Sequence, residues 1–336
     1  MNIQNNLHLQ IKHTQINKVM VTTSARLHFG FFDLNGATSR MFGSLGVSLD
    51  APQTIIEVTK SGKSLIDAKN QDYVAKIVEN LVKSLKIDED FSLKIQQAIP
   101  EHAGLGSGTQ MALAIGAALN ALFDLDATVT QIAAASQRGA RSGIGIGAFE
   151  QGGFLVDSGK ITLGKIAEIE NTNELPSIAL RHTFPADWRV LLVSDSSHQG
   201  VHGAAEMHAF KTLKPAAYSL REMVFNRMAP ALQHADLLAF GACMADLQTY
   251  NGEYFSPIQG GHYASADVAA VLAWLQKNGV ACVGQSSWGP TGFAIFENDL
   301  SANAMLKQLQ QQFAGLTNIS FQIVCAKNSG ASIKLG

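Results

Sequence analysis

The chain has 336 residues, 46% of them hydrophobic and 15% charged, with a formal net charge of −2. That length supports two domains with cores of their own, and the balanced charge gives no electrostatic case for nucleic acid or an anionic membrane as a partner. The longest apolar stretch, 111–123, is too short to span a bilayer, and the widely spaced Cys243, Cys282 and Cys325 argue against a disulfide framework or zinc site and for a reducing cytoplasm.

In chain order, residues 1–18 are polar, lack the hydrophobic centre of a signal peptide and read as a loose extension. VMVTTSARLHFGFFDLNG (19–36) reads as two β segments joined by a bend and closed by an Asp-Leu-Asn-Gly turn at 33–36. A strand is expected at 54–59, a helix at 71–86, a strand at 91–98, and helices at 108–123 and 128–138. RSGIGIGAFEQGGF (141–154) reads as a glycine-rich loop entering a short strand at 154–156. Beyond the polar stretch 165–176, WRVLLVSD (188–195) is a buried-strand signal. The remainder alternates helices at 216–234, 237–249, 265–278 and 300–314 with strands near 281–285, 292–297 and 320–325. This pattern gives an α+β chain of two domains, 19–185 and 186–336.

The stretch IPEHAGLGSGTQMALAIGAALNAL (99–122) places Gly104, Gly106, Ser107, Gly108 and Thr109 directly before an apolar helix. Such a loop aims backbone N–H groups and the positive end of a helix dipole at one point, which suits phosphate, although Ser, Thr and Gly also serve as ordinary caps. It lacks the lysine of a P-loop and the third glycine of a dinucleotide fingerprint. Segments 24–46, 141–153 and 284–292 are also rich in small residues, and the last sets Ser286, Ser287 and Gly289 before a strand. Four such loops, in a chain this poor in charge, point to a phosphate-handling enzyme with a cleft at the domain interface.

Arg26, His28, Asp33 and Arg40 stand among apolar and glycine residues. The two arginines suit a carboxylate or phosphate held bidentately; Asp33 suits a cationic transition state or a metal, or else pairs structurally with Arg26. Arg138 and Arg141 either face phosphate or close a surface helix. His198, His202 and Glu206 would share one face of an unbroken helix, but Gly200 and Gly203 interrupt it. A turn facing the cleft, with His202 and Glu206 as substrate contacts, is therefore preferred to a metal site, and no metal ligand is assigned.

PEHAGLGSG (100–108) resembles the nucleotide-phosphate loop of the GHMP kinase superfamily, whose form is Pro-x-x-x-Gly-Leu-Gly-Ser-Ser; Gly108 and Thr109 depart from it. SSWGPTG (286–292) resembles the third motif of that superfamily. ARLHFGFFDLNG (25–36), RMFGSLG (40–46) and RSGIGIGAFEQGGF (141–154) resemble its β-ribofuranosylaminobenzene 5′-phosphate synthase branch more closely. The resemblance implies a two-domain α+β, GHMP-kinase-like fold with the ligand cleft between the domains. It also implies a decarboxylating phosphoribosyltransferase of tetrahydromethanopterin biosynthesis. Such an enzyme joins 4-aminobenzoate, or 4-hydroxybenzoate, to phosphoribosyl pyrophosphate and releases carbon dioxide and pyrophosphate.

On that reading Asp33, Arg26 and Arg40 are the catalytic candidates. Gly104, Gly106, Ser107, Gly108, Thr109, Ser286, Ser287 and Gly289 are the phosphate candidates, and His28, Arg141, His202 and Glu206 the substrate contacts. Mg²⁺ is expected with the pyrophosphate, no pyridoxal phosphate or pyruvoyl group is needed, and the expected assembly is a cytoplasmic homodimer. Several GHMP kinases carry a catalytic Asp directly after a Ser-Gly-Ile-like loop, whereas here Gly145 follows Ser142-Gly143-Ile144. That speaks against the first alternative, an ATP-dependent small-molecule kinase. The second is a noncatalytic sensor of phosphorylated metabolites.

Overall fold

Alternating apolar residues at 19–23 start a strand whose inner face is buried from Val19 onward. A computed structural model describes residues 16–36, 39–161, 175–200, 213–214 and 216–336. Its first half holds β1 (Lys18–Phe31), β2 (Arg40–Met41), β3 (Ser44–Lys60), β4 (Leu65–Asp67), α1 (Gln71–Leu85), β5 (Phe91–Gln97), α2 (Ser107–Phe123), α3 (Val129–Ala135), α4 (Ile144–Glu150), β6 (Phe154–Asp157), β7 (Lys160–Ile161) and β8 (Ile178–His182). Its second half holds β9 (Arg189–Asp195), a helix α5 over 221–233, α6 (Leu237–Gln259), α7 (Ala266–Lys277), β10 (Cys282–Gln285), β11 (Gly292–Phe296), α8 (Asp299–Gln312), β12 (Ile319–Val324) and β13 (Ser332–Leu335).

The long β3 organises the first sheet. Along one side it pairs antiparallel with β1, from Lys18↔Thr59 to Phe31↔Ser44. On its other side β5 takes the C-terminal half and β6 the N-terminal half. With β4, β8 and β13 this makes a seven-stranded sheet, to which the chain returns at its end when β13 pairs with Val19–Thr22 of β1. The second sheet has the antiparallel order β10-β11-β9-β12. This arrangement is the α+β fold expected from the sequence.

Two irregularities in the β1–β3 ladder decide where the site falls. The register shifts between Ser24 and Arg26 and again between His28 and Gly30. A bulge bends its strand and redirects the side chains beside it, and here the bulges bracket Arg26 and His28. At the first shift the extra residues lie on β3, between Ser48 and Gln53, and at the second the extra residue is Phe29 of β1, so the bend expected within 19–36 is a bulge in one continuous strand.

An aromatic cluster joins the two halves. Phe29 of β1 lies 5.1 Å from Phe293 of β11 and 6.4 Å from Phe240 of α6, ring centroid to centroid, and Phe154 of β6 lies 6.1 Å from Phe240. All four are fully buried. Amides of α6 reinforce the seam: Gln248 donates to the Phe29 carbonyl at 2.8 Å and accepts from the Gln285 N–H at 2.9 Å. Asn251 pairs with both backbone groups of Phe31. The sheets and helices on both sides of the 284–292 loop are therefore held to β1 by apolar contact and by satisfied buried amides.

Several expected elements differ in extent. The glycine-rich segment 141–154 contains α4, because Ile144, Ile146 and Phe149 are all buried and outweigh the poor helix propensity of its glycines. The helix expected at 237–249 runs on to Gln259 through Pro257, and the one expected at 128–138 ends at Ala135. The helix expected at 216–234 starts at Arg221 and carries a π turn over Val224–Met228. The first half of β3, and β4, β8 and β13, are strands with no expected counterpart. Of the extension expected at 1–18, residues 1–15 lie outside the described residues, and Lys18 already belongs to β1.

Gly46 sits where β3 crosses the bulged part of β1. A Cβ there would lie 2.3 Å from the Leu27 carbonyl oxygen and 2.8 Å from Ile144 Cγ2. Gly46→Ala is expected to destabilise the protein by about 1–3 kcal/mol, read as a lower urea midpoint. Gly62→Ala, where a Cβ would meet nothing within 4 Å, should change stability by less than about 0.5 kcal/mol.

Candidate active site

Two of the small-residue loops meet backbone to backbone. Gly104 and Gly289 face each other so closely that a Cβ on Gly289 would lie 2.3 Å from the Gly104 Cα, and one on Gly104 would lie 2.7 Å from the Gly289 Cα. Ser286 Oγ donates to the Gly104 carbonyl at 2.7 Å and Thr291 Oγ1 to the Ala103 carbonyl at 2.7 Å. Arg26 crosses the same turn: its N–H donates to the Leu105 carbonyl, and Nη1 donates to the Gly104 carbonyl at 2.7 Å. Gly104, Ser286 and Gly289 thus build the wall of the site by closing loop on loop. The bidentate carboxylate or phosphate grip expected of Arg26 gives way, at this nitrogen, to a backbone carbonyl.

An uncapped helix terminus lies one turn further on. Gly106, in the left-handed conformation at φ 82°, is the N-cap of α2, and no side chain caps the helix. Ser107, Gly108 and Thr109 form the first turn, where backbone N–H groups lack intrahelical acceptors and the dipole is positive. A Cβ on Gly108 would lie 2.8 Å from the Tyr73 hydroxyl and 3.3 Å from Arg138 Nη1. Arg138 Nη2 donates to that hydroxyl at 2.8 Å, while its buried Nε has no hydrogen-bond partner. Burial raises the Tyr73 pKa against the pull of Arg138, so the phenol stays neutral beside the guanidinium. Arg138, for which two readings were open, thus stands beside the first turn of α2.

His28 is buried between the loops. Its Nδ1 lies 3.0 Å from Ser287 Oγ and its Nε2 lies 3.2 Å from Ser142 Oγ. Its backbone is tied as well, since its N–H donates to Ser286 Oγ and its carbonyl accepts from Ser287 N–H at 2.9 Å. Burial, with a smaller contribution from Arg26, lowers the imidazole pKa to about 3. His28 is a neutral ring at physiological pH.

Behind Ser142 lies Asp157, fully buried at the end of β6. Its Oδ1 accepts from the N–H groups of Ser44 at 3.0 Å and Gly159 at 2.9 Å. Its Oδ2 accepts from Gly143 N–H at 2.8 Å, Ser44 Oγ at 2.6 Å and Ser142 Oγ at 3.1 Å. Burial pushes the carboxyl pKa up, against five donors that favour the ionised form.

Other candidates take different places. Asp33 does not pair with Arg26: its Oδ2 accepts from Arg221 Nη2 at 2.8 Å and Nε at 3.2 Å, at 0% exposure. That ion pair at the start of α5 gives Asp33 an anchoring role. Arg40 Nη1 donates to Ser158 Oγ at 3.1 Å and the Gly159 carbonyl at 2.8 Å, so the turn after Asp157 holds it. Arg141 is half-buried and precedes Ser142. His198 lies outside any helix and pairs with Asp195, Nδ1 to Oδ2, at 2.9 Å. His202 and Glu206 lie outside the described residues.

Ser44, Ser142, Asp157 and Arg221 are absent from the expected site. The one sequence signal for them is Asp157, a lone carboxylate closing the apolar strand Phe154-Leu155-Val156 before Ser158-Gly159.

Two family models match the chain, GHMP kinases N terminal domain over residues 72–153 and GHMP kinases C terminal over residues 228–315. A beta-ribofuranosylphenol 5′-phosphate synthase of Methanocaldococcus jannaschii is 33% identical over 307 residues, covering 84% of this chain and 90% of the relative. One of Archaeoglobus fulgidus is 30% identical over 333 residues, covering 93% and 98%. Among solved structures, homoserine kinase from Cytophaga hutchinsonii superposes with TM-score 0.61 at 15% identity, covering 99% of this chain and 100% of that one. Mevalonate diphosphate decarboxylase from Staphylococcus aureus gives 0.63 at 14%, covering 95% and 98%. At these identities the solved structures establish the fold alone.

The burial of His28 makes stability pH-dependent. The unfolded chain protonates this ring near 6.5 and the folded one only near 3. The contribution is therefore complete above pH 6.5 and is lost, at about 1.4 kcal/mol per pH unit, as pH falls from 6.5 toward 3. Urea titrations at pH 7.5 and 5 should show wild type losing about 2 kcal/mol more than His28→Gln over that interval; equal losses would mean that His28 titrates normally.

Proposed function

The chain belongs to the beta-ribofuranosylphenol 5′-phosphate synthase family, a branch built on the GHMP kinase fold. From that membership we propose that it is an enzyme forming a β-ribofuranosyl 5′-phosphate product from phosphoribosyl pyrophosphate and 4-hydroxybenzoate or 4-aminobenzoate. The phenol in the relatives' names favours the hydroxybenzoate. The ring carbon bearing the carboxylate attacks ribose C1 as the bond from C1 to the pyrophosphate oxygen breaks. The bond to the carboxyl carbon then breaks, its electron pair restores aromaticity, and carbon dioxide leaves.

The observation that carries this reading is the uncapped N-terminus of α2 beside Arg138. Backbone N–H groups of Ser107, Gly108 and Thr109 and a half-buried guanidinium suit a multiply charged phosphate ligand. A fixed array of donors is also what a departing pyrophosphate requires, because it stabilises charge that grows in the transition state. Among the described residues no group of three His, Cys, Asp or Glu side chains is placed to hold a metal. On this reading Mg²⁺ arrives with the substrate, on pyrophosphate oxygens and water. No described helix is long and apolar enough to cross a membrane.

Phosphoryl transfer is disfavoured at Gly145. A Cβ there would lie 3.0 Å from Thr109 Cγ2, and Gln110 Nε2 occupies the Gly145 carbonyl at 2.8 Å. A carboxylate in the position where several kinases carry their Asp would need the Thr109 side chain, in the first turn of α2, to give way.

Carboxyl-labelled 4-hydroxybenzoate incubated with the enzyme, Mg²⁺ and phosphoribosyl pyrophosphate should release labelled carbon dioxide and pyrophosphate in equal amounts. With ATP in place of phosphoribosyl pyrophosphate nothing should be released. ATP-dependent phosphorylation of an alcohol, with no carbon dioxide, would replace this reading with the kinase one. Arg138→Gln should raise the KM for phosphoribosyl pyrophosphate by about 10- to 100-fold, the loss of one charge-assisted contact, while the melting temperature changes little. An unchanged KM would move the phosphate site elsewhere.

A further inference from the structure

Phosphate binding makes no use of Ser44, Ser142 or Asp157, yet these residues form an unbroken polar chain that ends at His28 and Ser287. The direction of each hydrogen bond in it can be worked out. Three backbone N–H groups, two on Oδ1 and one on Oδ2, and two hydroxyls surround Asp157, a donor set that holds it as the ionised carboxylate, and an ionised side chain only accepts. Ser44 Oγ, 2.6 Å from Oδ2, points its proton at the carboxylate or at Ser142.

Ser142 has one proton and two possible acceptors on this side, Oδ2 at 3.1 Å and Ser44 Oγ at 2.7 Å. Turning that proton to His28 instead would leave its oxygen 3.1 Å from a buried carboxylate with no proton between them. Ser142 Oγ also accepts from Ile144 N–H at 3.2 Å, so toward His28 it presents a lone pair. His28 Nε2 must then carry the ring proton. A neutral imidazole has only one, so Nδ1 is bare and accepts from Ser287 Oγ at 3.0 Å, a shorter contact than the 3.3 Å from the same hydroxyl to the His28 carbonyl.

We propose that Asp157 is a positioning residue that acts through Ser142 to hold His28 as the Nε2–H tautomer, which turns the Ser287 proton inward and leaves its oxygen as an acceptor. Ser287 lines a cleft with Phe255, His262 and Trp288, and the Phe255 and Trp288 rings stand 4.6 Å apart between centroids. An acceptor oxygen beside aromatic walls suits an aromatic ring that bears a hydrogen-bond donor, such as the hydroxyl or amino group of the benzoate. This consequence rests on the proposed function; the tautomer does not.

Long-range ¹H–¹⁵N spectra of the full-length protein at pH 7, with the His28 signals assigned by their loss in His28→Gln, test the tautomer directly. The expected result is a protonated Nε2 and a bare Nδ1 in wild type and in Ser142→Thr, and loss of that fixed pattern in Ser142→Ala. A protonated Nδ1 in wild type, or an unchanged pattern in Ser142→Ala, would overturn the proposal. Equilibrium binding supplies the second readout. Wild type should bind 4-hydroxybenzoate about 10-fold or more tightly than benzoate, and Ser142→Ala should lose most of that margin while Ser142→Thr keeps it. Equal affinities in wild type would remove Ser287 as a reader of the ring donor. A wild-type enzyme that formed no product would sink the proposed reaction and leave the tautomer result standing.

Discussion

One buried carboxylate ties together the parts from which the site is made. Asp157 accepts from backbone N–H groups at Ser44, Gly143 and Gly159, which start β3, cap α4 and form the turn after β6, and from the hydroxyls of Ser44 and Ser142. Desolvating a charge is expensive, and an ion at 0% exposure persists only where fixed dipoles replace its water. Here the replacement dipoles are mostly backbone, so these three segments can satisfy the charge only in one mutual arrangement. Arg40 hangs on the carbonyl side of the same turn through Gly159, and His28 hangs on Ser142. Polar order in this half of the cleft thus descends from a single residue.

The opposite half is ordered by close approach. Gly104 against Gly289 brings the 99–108 and 284–292 loops into contact that no side chain could share, and Ser286 and Thr291 bind the carbonyls left over. Arg26 closes the turn from β1. The N-terminus of α2 is left uncapped between these two ordered regions, with Arg138 beside it. Rigid walls and open donors suit a reaction whose charge moves onto a leaving pyrophosphate, because the donors need not reorganise as the bond breaks.

The sequence displayed the walls more clearly than the chemistry. Helix α2 was legible from the spacing of its apolar residues, and the small-residue loops were legible from composition. Periodicity reports which residues are buried, and loop composition reports where a backbone can approach closely. Neither reports which polar partners meet across long sequence separations. Asp33 stood out as a carboxylate among glycines and aromatics, and its partner proved to be Arg221, 188 residues away. Asp157 passed unnoticed because one charge at the end of a short apolar strand looks like a strand terminus. Its five donors come from three places in the chain, and only tertiary structure assembles them. α4 was hidden for a local reason, since its glycines mimic a loop while its buried isoleucines and phenylalanine make it a helix.

If one carboxylate holds three separate segments of the chain, their amides should open as a unit. Native-state hydrogen exchange of the Ser44, Gly143 and Gly159 amides measures this most directly. In wild type the three should share one opening free energy, and in Asp157→Asn, where either amide orientation sets an NH₂ group against a backbone N–H, all three should lose protection together. Three independent opening energies, or loss of protection confined to Gly159 beside the substitution, would contradict the account.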